Sequence, residues 1–124
     1  MMVPNSLRRW FVVHFVADIA FAVPLFLAPE GTLALFGWTR IDPVATRMVA
    51  AALAGIGGES LLMRNGSLDA FRAMLGLKCI WSAVAALGLA ISIARGAAPI
   101  AWLLLMIFVA FGAVWNFYRL RLRS

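Results

Sequence analysis

The chain has 124 residues, of which 65% are hydrophobic and 13% are charged, and its mean hydropathy is +0.97. Soluble domains contain about 45–50% apolar and about 25% charged residues, so this composition excludes an ordinary soluble domain. It predicts a single integral membrane domain over residues 1–124. The formal net charge of +6 does not indicate nucleic-acid binding, because the basic residues lie at the ends of apolar segments and form no stripe.

The first predicted span covers residues 10–28, an apolar run long enough to cross a bilayer. Its two ionisable residues, His14 and Asp18, are four positions apart and therefore share one face of a helix. A carboxylate facing lipid is costly, so this face is predicted to point into a helix bundle. Two arginines precede the run, as in a twin-arginine export signal, but the interruption by Asp18 favours an uncleaved transmembrane helix.

A short connector follows at residues 32–38, which are too few to cross a membrane. Leu33 and Phe36 fall on one side of a short helix, and Trp38 is typical of a membrane interface. The pattern predicts a short interfacial segment between helices 1 and 2. A plain loop is the alternative.

The second predicted span, residues 43–63, opens with Asp42-Pro43, which is typical of a helix start. The span contains pairs of small residues four positions apart, which favour close approach of another helix. The pairs are Ala51 with Gly55 and Ala54 with Gly58. Glu59 follows, and we expect it on the same side of the helix as these small residues.

Two further spans complete the chain, at residues 71–94 and 99–118. The third span contains Lys78, and Gly96 is placed to terminate it. Pro99 opens the fourth span, which contains Asn116 near its far end. The sequence predicts an all-α fold, a four-transmembrane-helix antiparallel bundle with no internal repeat.

The orientation follows from the distribution of basic residues. With four spans, the termini and the middle loop share one side, which holds eight basic residues against three on the other. The eight are Arg8, Arg9, Arg64, Arg72, Lys78, Arg119, Arg121 and Arg123, and the three are Arg40, Arg47 and Arg95. Both termini are therefore predicted to be cytoplasmic in a bacterial inner membrane.

Every predicted span places a polar residue in the predicted cytoplasmic half of the membrane, and the outer half is almost purely apolar. This candidate polar cluster consists of His14, Asp18, Glu59, Lys78 and Asn116. One interpretation is structural: Glu59 pairs with Lys78, and Asp18 with His14 or Lys78. The other is a water-accessible vestibule that binds a cation or carries protons.

Catalytic, cofactor and metal sites are not predicted. One histidine and one cysteine, Cys79, cannot build a metal site without help from carboxylates. No serine lies in a nucleophile motif, and the glycine-rich segment at residues 55–58 lies inside a helix with no strand before it. The sequence gives no sign of an enzyme.

The stretches LFLAPEGTLALFGW and RMVAAALAGIGGESLL resemble small four-helix bacterial membrane proteins of the DoxX-like type. The matching positions are Pro29, Gly37, Arg47, Gly55 and Gly57. The resemblance implies an inner-membrane fold and roles in redox- or stress-linked membrane complexes. The expected function is that of an accessory or interaction protein, with the lipid bilayer and a second copy or another membrane protein as partners.

An alternative is a small proton-coupled transporter or channel-like protein that uses Asp18 and Glu59. The length and number of spans resemble small multidrug transporters, which have an acidic residue in the first span, where Asp18 stands. The sequence departs from them because the acid is aspartate, its neighbours differ and the basic residues are distributed one-sidedly.

Overall fold

The computed structural model describes residues 1–123, and these residues fold as helices joined by short connections. Their order is α1 (Asn5–Leu27), α2 (Pro29–Leu35), α3 (Pro43–Leu62), α4 (Leu68–Ala94) and α5 (Ile100–Arg121). The helices form two compact units. Residues 4–66, with α1 to α3, are called the first hairpin, and residues 67–123, with α4 and α5, the second hairpin; residues 1–3 group with the second.

In the first hairpin α1 and α3 pack side by side and run antiparallel. Arginine side chains join the helices at both ends. Arg8 Nη1 donates to the carbonyl oxygens of Arg64, at 2.9 Å, and Gly66, at 3.3 Å. At the opposite end Arg47 Nε donates to the carbonyl of Phe26 at 3.0 Å. The Phe26 carbonyl lies in the last turn of α1, where carbonyls have no partner within the helix, and the Arg64 and Gly66 carbonyls lie in the turn after α3.

The start of α3 confirms the predicted helix start at Asp42-Pro43. Asp42 Oδ1 accepts hydrogen bonds from the backbone N–H groups of Val44, at 2.9 Å, and Ala45, at 3.2 Å. Pro43 occupies the first helical position, where its missing N–H costs nothing. An aspartate cap of this kind stabilises a helix by about 1 kcal/mol.

In the second hairpin α4 and α5 also pack as an antiparallel pair. Arg72 Nε, at the start of α4, donates to the carbonyl of Leu122, just after the end of α5, at 2.9 Å. Further along the pair, the rings of Trp81 and Phe108 meet edge to face with centroids 5.9 Å apart.

Two glycines with positive φ end helices in turns that other residues rarely adopt. Gly96 has φ 87° after α4, where the Ala97 N–H reaches back to the Ser92 carbonyl at 3.0 Å. This confirms the predicted terminator. Gly37 has φ 92° and plays the same part after α2, where the Trp38 N–H reaches the Leu33 carbonyl at 3.0 Å.

The four long helices overlap the predicted spans 10–28, 43–63, 71–94 and 99–118, but α1 begins at Asn5 and α4 at Leu68, before the predicted starts. The predicted connector is helical, but its helix begins earlier, at Pro29, because a proline fits the first helical turn. Three helices are long and apolar enough to cross a membrane, namely α1, α4 and α5. They indicate a membrane protein. Helix α3 is not among these three, since Arg47, Glu59 and its glycines lower its hydropathy.

Candidate functional site

The polar residues of α1 lie on its buried stripe. Buried positions of this helix recur every three or four residues, as expected for one packed face. They are Leu7, Phe11, His14, Asp18, Ala22 and Leu25. His14 is only 3% exposed and Asp18 only 6%. The sequence therefore placed both ionisable groups on the packed face correctly.

His14 and Asp18 form the contact that their spacing predicts. His14 Nε2 lies 3.3 Å from Asp18 Oδ2, one helical turn away. A charged group buried in a low-dielectric interior is stable only with a partner of this kind. Because imidazole and carboxylate both exchange protons, the pair can also hold a proton inside the helix packing.

Gly57 of α3 lies directly against Asp18. A methyl group in place of the Gly57 hydrogen would stand 2.6 Å from Asp18 Cβ and 3.0 Å from Asp18 Oδ2. Those distances are well inside van der Waals contact. Only glycine therefore allows α3 to approach the Asp18 side of α1 this closely.

The predicted contact through Gly55 and Gly58 is wrong. A methyl group at either position would meet nothing within 4 Å in the part of the chain that the structure describes. The buried positions of α3 follow a different register, which includes Gly57. They are Thr46, Ala50, Leu53, Gly57 and Ser60. Their alternating spacing of four and three residues was the sequence signal for Gly57.

In the second hairpin the buried cation is Lys78. The lysine is 0% exposed, and its Nζ lies 4.7 Å from the centroid of the Trp115 ring. A cation above an aromatic ring is attracted by the electron-rich π face, and the attraction is worth about 2 kcal/mol when water is excluded. Trp115 is itself 0% exposed. Lys78 was predicted from the sequence as a polar residue within a span, but its contact with Trp115 was not.

Ser82, one turn beyond Lys78, faces a glycine of α5. Ser82 Oγ donates to the Lys78 carbonyl at 2.6 Å. A methyl group at Gly112 would lie 3.3 Å from Ser82 Cβ. The approach at Gly112 is thus close, though less close than the approach at Gly57.

The buried face of α4 matches that of α1. Four buried positions and the arginine at the hairpin end recur at a constant offset along the chain. The equivalent pairs are Leu7 and Phe71, Arg8 and Arg72, Phe11 and Leu75, His14 and Lys78, and Asp18 and Ser82. The arginine and the two apolar pairs keep their character, and only His14 and Asp18 are replaced by residues of different polar chemistry, Lys78 and Ser82.

Glu59 and Asn116 lie on exposed positions of their helices, unlike the other members of the candidate polar cluster. Glu59 was expected on the crowded side of α3, but its neighbours Gly57 and Ser60 occupy that side. Asn116 Nδ2 donates to the Gly112 carbonyl of its own helix at 2.8 Å. The predicted pairings of Lys78 with Asp18 or Glu59 stay predictions.

Among residues 1–123, no three histidine, cysteine, aspartate or glutamate side chains come together as a set that could hold a metal ion. Cys79 is buried and unbridged. Comparisons with protein-family models, with curated proteins and with solved structures found no match for the chain.

Proposed function

We propose that the chain is an integral membrane protein of a bacterial inner membrane in which all four long helices cross the bilayer. Support comes from the pairing of α3 with α1. Arg8 joins the start of α1 to the end of α3, and Arg47 joins the start of α3 to the end of α1. A helix matched end to end with a crossing helix lies at the same depth in the membrane. Close packing through Gly57 compensates for the low hydropathy of α3.

Both termini are proposed to be cytoplasmic, on the basis of the eight-to-three distribution of basic residues. The test is labelling by a membrane-impermeant thiol reagent from outside the cell, in a Cys79→Ala background. Single cysteines replace Met2, Gly66 and Ala97. The proposal expects labelling at position 97 and protection at positions 2 and 66.

Other topologies give distinct labelling patterns. If α3 does not cross the membrane, positions 2 and 97 share one side and position 66 lies on the other. If four helices cross in the reverse orientation, positions 2 and 66 are labelled and position 97 is protected. Either pattern would contradict the proposed topology.

Within that topology we propose an accessory or interaction role, of the kind that the resemblance to DoxX-like proteins implies, and no enzymatic activity. The observation that carries this proposal is the tight contact between Asp18 and Gly57. A carboxylate packed against a glycine backbone and a histidine fills its site and leaves little room for a substrate. In this role the His14–Asp18 pair joins α1 to α3, and the outer faces of the helices contact lipid, a second copy or another membrane protein.

A second candidate function is a proton-coupled transporter, favoured by the burial of an ion-pairing histidine and aspartate inside a crossing helix. Glu59, which this candidate function also invoked, lies on an exposed position of α3. The deciding experiment compares Asp18→Asn with Glu59→Gln, which make matched charge changes. Both variants are reconstituted in vesicles, and their proton-linked flux and thermal stability are measured.

The accessory role expects Asp18→Asn to lower the unfolding temperature, with no proton flux above empty vesicles in the parent protein. A parent flux that disappears in Asp18→Asn and survives in Glu59→Gln would establish the transporter instead. Infrared spectroscopy adds an independent readout. A carboxylic-acid band lost only in Asp18→Asn, and titrating with the flux, would mark Asp18 as the proton carrier.

A further inference from the structure

A basic pocket lies at the end of the second hairpin where α4 begins and α5 ends. The pocket is a cavity of about 340 Å³, and its lining combines three arginines with two leucines. The lining residues are Arg72, Leu75, Arg119, Leu122 and Arg123. Leu75 is 0% exposed and Leu122 only 2%, so both leucines are covered, and the arginines supply the accessible surface of the pocket.

The side chains of the second hairpin carry an excess of positive charge. Residues 67–124 contain six basic residues and a single acidic one, Asp69. Asp69 lies 3.6 Å from Arg72 Nη1, but its side chain is 94% exposed and does not line the pocket. By contrast, residues 4–66 contain five basic and four acidic residues. Three guanidinium groups brought together in this way favour binding of an anion.

The guanidinium group of Arg72 is held in position by the protein itself. Its Nε donates to the Leu122 carbonyl at 2.9 Å, and its side chain is 35% exposed. The pocket also adjoins the last turn of α5, a helix apolar enough to cross a membrane. Lipid phosphates lie at the ends of crossing helices, and basic pockets between such helices bind anionic headgroups.

We propose that this pocket binds the phosphate group of an anionic phospholipid. The guanidinium groups of the lining arginines donate charge-assisted hydrogen bonds to the phosphate oxygens. The proposal concerns the second hairpin alone and does not depend on any role of His14 and Asp18.

The test is native mass spectrometry of the detergent-solubilised full chain, titrated with phosphatidylglycerol or with zwitterionic phosphatidylcholine. The parent protein is expected to bind phosphatidylglycerol more tightly. Arg119→Gln and Arg123→Gln should each weaken that binding about tenfold, and the double variant about a hundredfold, because each removes a charge-assisted hydrogen bond. Arg72 is left intact because its hydrogen bond to the Leu122 carbonyl joins α4 to α5. Arg119 also contacts the Cys79 thiol of α4, so the unfolding temperature of Arg119→Gln is measured beside its lipid affinity.

Arg121→Gln is the matched control, since Arg121 shares the last turn of α5 but does not line the pocket. Its guanidinium carbon lies 5.6 Å from the centroid of the Phe117 ring. Removing this exposed charge should weaken the binding of phosphatidylglycerol by no more than about fivefold. Circular dichroism and gel filtration of each variant confirm that it is folded.

Three results would overturn the proposal. In the first, the parent protein binds both lipids equally, a measurement that needs no variant. In the second, Arg121→Gln weakens binding as much as the double variant, so that the attraction is a diffuse surface charge. In the third, millimolar inorganic phosphate displaces the lipid, so that the pocket takes free phosphate.

Discussion

The two hairpins have the same frame and different polar contents. In the first hairpin Arg8, near the start of α1, donates to the Arg64 carbonyl just beyond the end of α3. In the second, Arg72, near the start of α4, donates to the Leu122 carbonyl just beyond the end of α5. A glycine of α3 faces α1, and a glycine of α5 faces α4. The frame therefore depends on a close helix approach and an end-to-end arginine bond, not on the identity of the buried polar groups.

The buried polar groups differ in how they are stabilised. The first hairpin pairs His14 with Asp18 at 3.3 Å, so an imidazole and a carboxyl group contact one another on one helix. At the equivalent positions the second hairpin has Lys78 and Ser82, and the lysine lies above the Trp115 ring. One frame thus accommodates a titratable pair in one copy and a cation–π contact in the other. In both hairpins a glycine allows the close approach of the two helices, and the polar side chains at the equivalent buried positions differ.

The largest difference between the hairpins is expected at the glycines. Gly57→Leu should lower the free energy of unfolding by about 3 kcal/mol, because even a methyl group there would stand 2.6 Å from Asp18 Cβ. Gly112→Ala should cost about 1 kcal/mol or less, since its methyl would lie 3.3 Å from Ser82 Cβ. Unfolding by SDS titration in detergent micelles measures both.

Gly55→Leu and Gly58→Leu serve as controls, because each places the same side chain on α3 with nothing within 4 Å of its first carbon. Both should unfold close to the parent. If Gly58→Leu destabilises the protein as much as Gly57→Leu, the register of α3 on α1 is wrong.

The second prediction tests the polar positions. Asp18→Leu should cost about 2 kcal/mol, because it leaves a buried imidazole without its carboxylate partner. Ser82→Ala, at the equivalent position, should cost about 1 kcal/mol or less, since the Lys78 carbonyl it contacts belongs to the same helix. The same SDS titration gives both values.

A double-mutant cycle of His14→Leu with Asp18→Leu separates the pair from its surroundings. If His14 and Asp18 stabilise one another, the double variant should lose less free energy of unfolding than the sum of the two single variants. Additive costs would show that the two side chains do not stabilise one another.

Local signals explain what the sequence predicted well. Asp42-Pro43 and Gly96 mark helix ends through bonds to their immediate neighbours, so the helix boundaries could be read residue by residue. The i to i+4 spacing likewise gave the His14–Asp18 contact without knowledge of the fold.

The glycine contact was missed because it depends on which side of α3 meets α1. Small residues occur all around α3, so composition alone could not choose Gly57 over Gly55 or Gly58. Glu59 was misplaced with them, since its orientation follows from the same register. The arginine bonds to distant carbonyls were missed as well, because a carbonyl acceptor has no side-chain signature.

The third prediction concerns the arginines that close each hairpin. Arg8→Gln and Arg72→Gln should each lower the free energy of unfolding by about 1 kcal/mol, because each removes a hydrogen bond from a charged donor that is partly exposed. Arg9→Gln and Arg121→Gln change the charge equally at neighbouring exposed positions and are the controls. Equal losses in all four variants would indicate a general effect of charge instead of a specific bond.

The smallest effect is expected at Glu59. Its position is exposed, so Glu59→Gln should change the free energy of unfolding by less than about 0.5 kcal/mol. Asp18→Asn makes the same change of charge on the buried stripe of α1 and should cost clearly more, because it weakens the contact with His14. If the two variants lose stability equally in lipid nanodiscs, Glu59 has a buried partner in the membrane and the polar cluster predicted from the sequence extends to it. If Glu59→Gln is silent, the polar chemistry of the first hairpin is confined to the His14–Asp18 pair.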